Sequence, residues 1–202
     1  MAKTSGGVRG ASQIGGREGS DSNYSGSIKN VGSLKEISDR ALQKDLQQGI
    51  SKFESRLGVR TDVKLADLNG AYGVHITANG KSDGVYLDRN SFKNKEQVIN
   101  AKENAYKTGF SNKTNKPTQH TVVHELSHSL WTNHHSSSKH IKAGDEIKKV
   151  YNSFKKDNPK SWGSYGKTNI NEFYAEGITK GVLGKSDKYT KSLIKITKKY
   201  GL

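Results

Sequence analysis

Thr121-Val122-Val123-His124-Glu125-Leu126-Ser127-His128-Ser129-Leu130 is the stretch that decides how this chain reads. On a helix, residues four apart share a face, so the imidazoles of His124 and His128 point to a common spot. Glu125 is aimed into the same cleft, where it can take a proton from a water activated by a metal ion. Val122, Val123, Leu126 and Leu130 bury the opposite side and fix the helix in place. Two histidines do not complete a hydrolytic zinc site, which uses three protein ligands and leaves one position open for water. The chain has no cysteine, so the missing ligand is a histidine or a carboxylate, and no disulfide framework exists.

A second segment supplies candidates: Ser164-Tyr165-Gly166-Lys167-Thr168-Asn169-Ile170-Asn171-Glu172-Phe173-Tyr174-Ala175-Glu176. An HExxH helix followed at this interval by YGxTNxxEF(F/Y)AE resembles the gluzincin peptidases of the anthrax lethal factor type. That group is structurally related to the small bacterial Pro-Pro endopeptidases. The likeness covers the layout of residues 60–185 and is detailed only in these two motifs. It implies a zinc endopeptidase with one Zn2+ per chain, held by His124, His128 and Glu172, with Glu125 as the base. It implies that Glu176, one turn beyond Glu172, steadies a ligand histidine. Tyr165 matches the tyrosine that donates a hydrogen bond to the developing oxyanion. Phe173 and Ala175 read as helix packing.

In such peptidases an edge strand above the zinc helix takes up the substrate backbone. Val85, Tyr86 and Leu87, within Gly84–Asp88, are the candidates for that strand here, against the plain reading of an ordinary hairpin strand. His120, His134, His135 and His140 read as surface residues or as residues behind the ligands, and His75 as a strand residue with no special part.

The rest of the chain frames these motifs. Ser33 to Glu36 fits a capping box, and Leu34, Ile37, Leu42, Leu46, Ile50, Phe53 and Leu57 follow at helical spacing up to Gly58. One amphipathic helix of about six turns is expected there. Val63–Leu65, Tyr72–Ala78 and Gly84–Asp88 read as strands, separated by Asn79-Gly80 and Asp83-Gly84 turn signals. A short helix is expected over Gln97–Tyr106, and then helices from Thr118, from Ile141, over Asn169–Leu183 and from Ser186. The expected fold is α+β: a small, mostly antiparallel sheet packed on the active-site helix, followed by a mainly helical C-terminal part. The domain spans residues 33–202 behind a flexible Gly/Ser-rich arm of residues 1–32, which is too poor in apolar side chains to fold alone.

Composition sets the outer bounds. Of the 202 residues, 31% are hydrophobic, enough for one domain with a core and a tail. The formal charge of +15 favours acidic partners, including an acidic peptide substrate. The lysines are spread along the whole chain, so specific nucleic-acid binding is not expected, although the charge leaves it open. No apolar run approaches the roughly 20 residues of a membrane span, and no signal-peptide pattern opens the chain. A cytoplasmic product is expected, with virion association or non-classical export left open. Two rival readings remain at this level. One is a virion-associated or mobile-element structural or binding protein that retains a zinc site; the other is a toxin-like proteolytic effector. Oligomeric state is unknown.

Overall fold

A computed structural model describes residues 17–18, 28–78, 81–132 and 137–202. They form five strands, β1 (Arg17–Glu18), β2 (Lys29–Ser33), β3 (Val63–Asp67), β4 (Ala71–Ala78) and β5 (Lys81–Asp88). The helices are α1 (Arg40–Leu57), α2 (Lys95–Lys107), α3 (Pro117–Thr132), α4 (Ser138–Asp157), α5 (Ile170–Leu183) and α6 (Lys188–Tyr200). The expected α+β class is what the structure has.

The capping box at Ser33 and Glu36 forms, but it caps a single 3-10 turn over Leu34–Glu36. The chain then extends at Ile37 and restarts at Asp39, whose carboxylate accepts from the N–H groups of Ala41 and Leu42. Two caps six residues apart divide the single expected helix, because each satisfies its own set of orphan donors. Gly58 closes α1 in the left-handed region at φ 77°.

The sheet runs in the order β1-β4-β5-β3-β2. β4 pairs antiparallel with β5 and β2 with β3, whereas β3 runs parallel to β5 and β1 to β4. The sheet is therefore mixed, not mostly antiparallel. β4 lies on the far side of β5, so the returning strand inserts between its two predecessors and must run parallel to β3. This corrects the substrate-strand expectation: Val85, Tyr86 and Leu87 are in an inner strand, with Val63, Lys64 and Leu65 on one side and His75, Val74 and Gly73 on the other. The Asp83-Gly84 signal is no turn. It sits inside β5 beside a register break at Ile76 and Thr77, with Gly84 at φ 122°, a backbone that glycine adopts freely.

The folded part also begins earlier than Ser33. Lys29 pairs with Asp67 and Gly32 with Leu65, and the Arg89 guanidinium donates to the carbonyl of Asn30 at 2.8 Å. Within the expected arm, Arg17–Glu18 lies alongside β4, Glu18 opposite Gly73. Residues 1–16 and 19–27 of that arm, like the Asn79-Gly80 turn, are outside the described residues.

The main core lies between the inner face of the sheet and the helices. Leu65, Val85 and Leu87 meet Val122, Val123 and Leu126 of α3, backed by Leu46 and Phe53 of α1. Each such side chain contributes about 1.5–3 kcal/mol of burial. A smaller cluster of Ala66, Leu68, Ala71, Val74 and Tyr86 covers the other face. Phe154, Trp162, Phe173 and Tyr189 form an aromatic knot that locks α4 and α6 onto α5. α3 is thereby buried from Thr118 to Trp131, polar residues included. Among the described residues, no helix is long and apolar enough to cross a membrane.

Candidate metal centre

α3 and α5 meet where the two motifs face each other. His124 Nε2 and His128 Nε2 are 3.2 Å apart. Glu172 Oε2 lies 3.2 Å from the first and 3.4 Å from the second. Glu172 reaches this point from the first turn of α5, where the Asn169 side chain accepts from the N–H groups of Asn171 and Glu172 and sets the direction of the helix. The three donor atoms form a nearly equilateral triangle. Nitrogen and oxygen ligands at about 2.0–2.1 Å from a tetrahedral ion are about 3.3 Å from one another. The spacing of these three atoms therefore suits a bound metal ion.

Charge points the same way. Glu125, Glu172 and Glu176 are each at most 2% exposed, and the cation buried among them is Lys102. Three carboxylates against one ammonium leave a deficit of about two positive charges, which a dication fills. Without an ion, a proton on His124 offsets part of that deficit. Burial alone would lower His124, but hydrogen bonds to Glu172 and Glu176, with the charges of Glu172 and Glu125, lift it to about 10. Burial alone would raise Glu172, but His128 and His124 hold it down at about 2. Desolvation brings Lys102 down to about 8 against the pull of Glu176 and Glu125.

The far side of His124 is also held. Its Nδ1 is 3.3 Å from Glu176 Oε1. The other oxygen of Glu176 accepts from the Asn112 backbone N–H at 2.8 Å, and the Asn112 side chain both donates to the Glu176 carbonyl and accepts from Gly163 N–H. The same seam positions Tyr165. Ser164 N–H donates to the Gly109 carbonyl and Tyr165 N–H to the Phe110 carbonyl, so the 3-10 turn at Tyr165–Lys167 is pinned against the segment after α2. The Tyr165 ring stacks on Phe110 and lies 5.6 Å from the His124 ring. Burial and the charges of Glu172 and Glu125 push its phenol well above the usual range, so it remains a hydrogen-bond donor.

Glu125 is fully buried and packs under β4. Gly73 makes this approach possible, since a Cβ there would stand 2.9 Å from Glu125 Cγ and 3.1 Å from Thr121 Cγ2.

The fold thus brings His124, Glu125, His128, Tyr165, Glu172 and Glu176 to one place. Val85 and Leu87 point into the core beside α3, and Tyr86 into the small cluster on the outer face. His120 is no surface residue: it is fully buried and bonded to Glu176 at 3.1 Å. His140 is buried against Trp131. His75 is buried in β4 with Nε2 2.9 Å from Ser82 Oγ, and His134 and His135 lie outside the described residues. Sequence reasoning missed Gly73, Lys102 and Asn112. A lone glycine within a strand signals close backbone approach, and a lysine in the stripe Val98-Lys102-Ala105-Tyr106 signals a buried cation. Asn112 gave no signal.

No protein family, no curated protein and no solved structure matches the chain.

Proposed function

We propose that this protein is a zinc-dependent endopeptidase of the gluzincin kind, cleaving protein or peptide substrates with one zinc ion per chain. The observation that carries the reading is the triangle of His124, His128 and Glu172 donor atoms, with edges of 3.2–3.4 Å, beside a buried carboxylate that is not part of it. A metal-binding role alone would not require that fourth group, Glu125, or the protonated phenol of Tyr165 beside His124.

Bound at the triangle, zinc supplies Lewis acidity to a peptide carbonyl and makes water a nucleophile at neutral pH. Glu125 accepts the proton of the attacking water and returns it to the leaving amine. Tyr165 donates its hydroxyl hydrogen bond to the carbonyl oxygen as negative charge develops there. Glu176 accepts from His124 Nδ1–H, which leaves Nε2 as the free lone pair for the ion. Burial of these side chains strengthens each of these interactions.

The test is cleavage of an unbiased peptide library by the zinc-loaded protein beside its Glu125→Gln variant, read as new termini by mass spectrometry. We expect cuts from the wild type alone, with zinc bound stoichiometrically by both. Stoichiometric zinc with no cuts from either would replace the reading with a metal-binding structural protein. Cuts by both at similar rates would remove Glu125 from its role.

A further inference from the structure

Behind the metal centre runs a buried chain of hydrogen bonds with a single direction. Lys116 N–H donates to Thr114 Oγ1, which lies 3.0 Å from the Tyr106 hydroxyl. That hydroxyl is 3.0 Å from His120 Nδ1, and His120 Nε2 is 3.1 Å from Glu176 Oε1. The polarity follows from the two ends. An ionised carboxylate only accepts, so His120 must present Nε2–H to it, which leaves Nδ1 as an acceptor. Tyr106 has one proton and gives it to Nδ1, so its oxygen accepts from Thr114. Burial and the charge of Lys102 lower His120 to about 4, and burial raises Tyr106, so both stay neutral as this polarity needs. Glu176 Oε1 therefore takes the His120 hydrogen bond from one side and faces His124 Nδ1 at 3.3 Å on the other.

We infer that His120 is a positioning residue for the zinc ligand His124: it clamps Glu176, and through Glu176 fixes the tautomer and ring orientation of His124. The inference rests on the metal-site reading above and extends it to a residue outside both motifs. His120, His124 and Glu176 also lie close enough together to hold an ion of their own. Two features argue against that. An ion there, added to one at the triangle, would need both nitrogens of His124 as ligands, hence an imidazolate. Tyr106 already fixes the proton of His120 on the side that faces Glu176. The loss of such an outer partner typically weakens metal binding about 10–100-fold.

The experiment measures zinc affinity of the full chain by competition with a chromophoric chelator, beside its urea midpoint, for wild type, His120→Leu, His120→Gln, Tyr106→Phe, Glu176→Gln and the His120→Leu/Glu176→Gln double variant. We expect His120→Leu to bind zinc about tenfold or more weakly and His120→Gln, which keeps an N–H, to recover most of the loss. The double variant should be no weaker than Glu176→Gln, because the two residues act as one unit. Long-range 1H–15N spectra of the zinc-loaded wild type should show His120 as the Nε2–H tautomer and His124 as Nδ1–H, and Tyr106→Phe, which removes one oxygen, should perturb the former. If His120→Leu does not fold, the Tyr106→Phe affinity and the tautomers still decide. Unchanged affinity in the folded variants, additive losses, or a second zinc equivalent lost with His120 would overturn the inference while leaving the metal centre standing. Wild type that takes up no zinc overturns the metal centre and this inference with it.

Discussion

Replacing Gly73 by alanine should disable the proposed base without touching the metal. Gly73 sits outside the left-handed region, so a Cβ is conformationally permitted and its whole effect is steric. The added carbon would stand 2.9 Å from Glu125 Cγ, 3.1 Å from Thr121 Cγ2 and 3.2 Å from Leu87 Cδ2. Carbon atoms in contact prefer about 3.5–4.0 Å, so strand and helix must part by about half an ångström or more. None of the three neighbours can swing clear, because Leu87, Glu125 and Thr121 are all buried. Overpacking of this kind costs about 1–3 kcal/mol of stability, read as a lower urea midpoint. A displacement approaching 1 Å at a reacting group costs about 100-fold in rate, so we expect kcat to fall about 10–100-fold. Zinc affinity should hold, since none of His124, His128 and Glu172 is among the atoms that crowd Gly73. The assay is a fluorogenic peptide drawn from the library cuts, with chelator competition run in parallel. A Gly73→Ala protein with kcat within twofold of wild type would refute the idea that β4 sets the position of Glu125. An equal fall in zinc affinity would show that the strain spreads through α3 as a whole.

Three further outcomes follow from the same geometry. Glu172→Ala removes one corner of the donor triangle and should weaken zinc binding by 100-fold or more; unchanged affinity in the chelator assay would place the third ligand elsewhere. Tyr165→Phe should lower kcat about 100-fold, as loss of an oxyanion donor does, with zinc affinity and urea midpoint near wild type; wild-type kcat would make Tyr165 a packing residue only. In the zinc-free protein, the stability from protonated His124 is complete below its ordinary 6.5 and is lost as pH rises through about 10. Buried neutral His120 works in the opposite sense, costing stability as pH falls from 6.5 toward about 4, and Glu172 adds to the acid loss below 4.5. Urea midpoints of the zinc-free chain should therefore peak near neutrality and fall on both sides. Zinc uptake at pH 8 should release about one proton, detectable by calorimetry in buffers of different ionisation heat.

Residue spacing alone made legible the parts of the site confined to one helix, and the joining of the two motifs, with Tyr165 beside them, came from the resemblance. Four-residue spacing places His124 with His128 and Glu172 with Glu176 whatever surrounds them, and hydrophobic periodicity gives the helices that carry them. What escaped depends on contacts between distant segments. Asn112 and Glu176 are bonded across 64 positions, and His120 and Glu176 across 56. No local pattern records such pairs. Strand order was hidden for the same reason: Val85, Tyr86 and Leu87 look alike in an edge strand and an inner one, and only the return of β5 between β3 and β4 decides. The helix start was misplaced because the capping box at Ser33 is genuine and a stronger cap, Asp39, follows closely.

The meeting of α3 and α5 has a consequence for the chain as a polymer. An ion gripped by His128 and Glu172 is a cross-link, and the stretch of backbone it ties into a ring runs from position 128 to position 172. Tethering a loop of about 45 residues removes unfolded-state freedom worth on the order of 4 kcal/mol, the scale of a disulfide bridge. A chain without a single cysteine would in this way carry a staple that needs no oxidising compartment and that a chelator can withdraw.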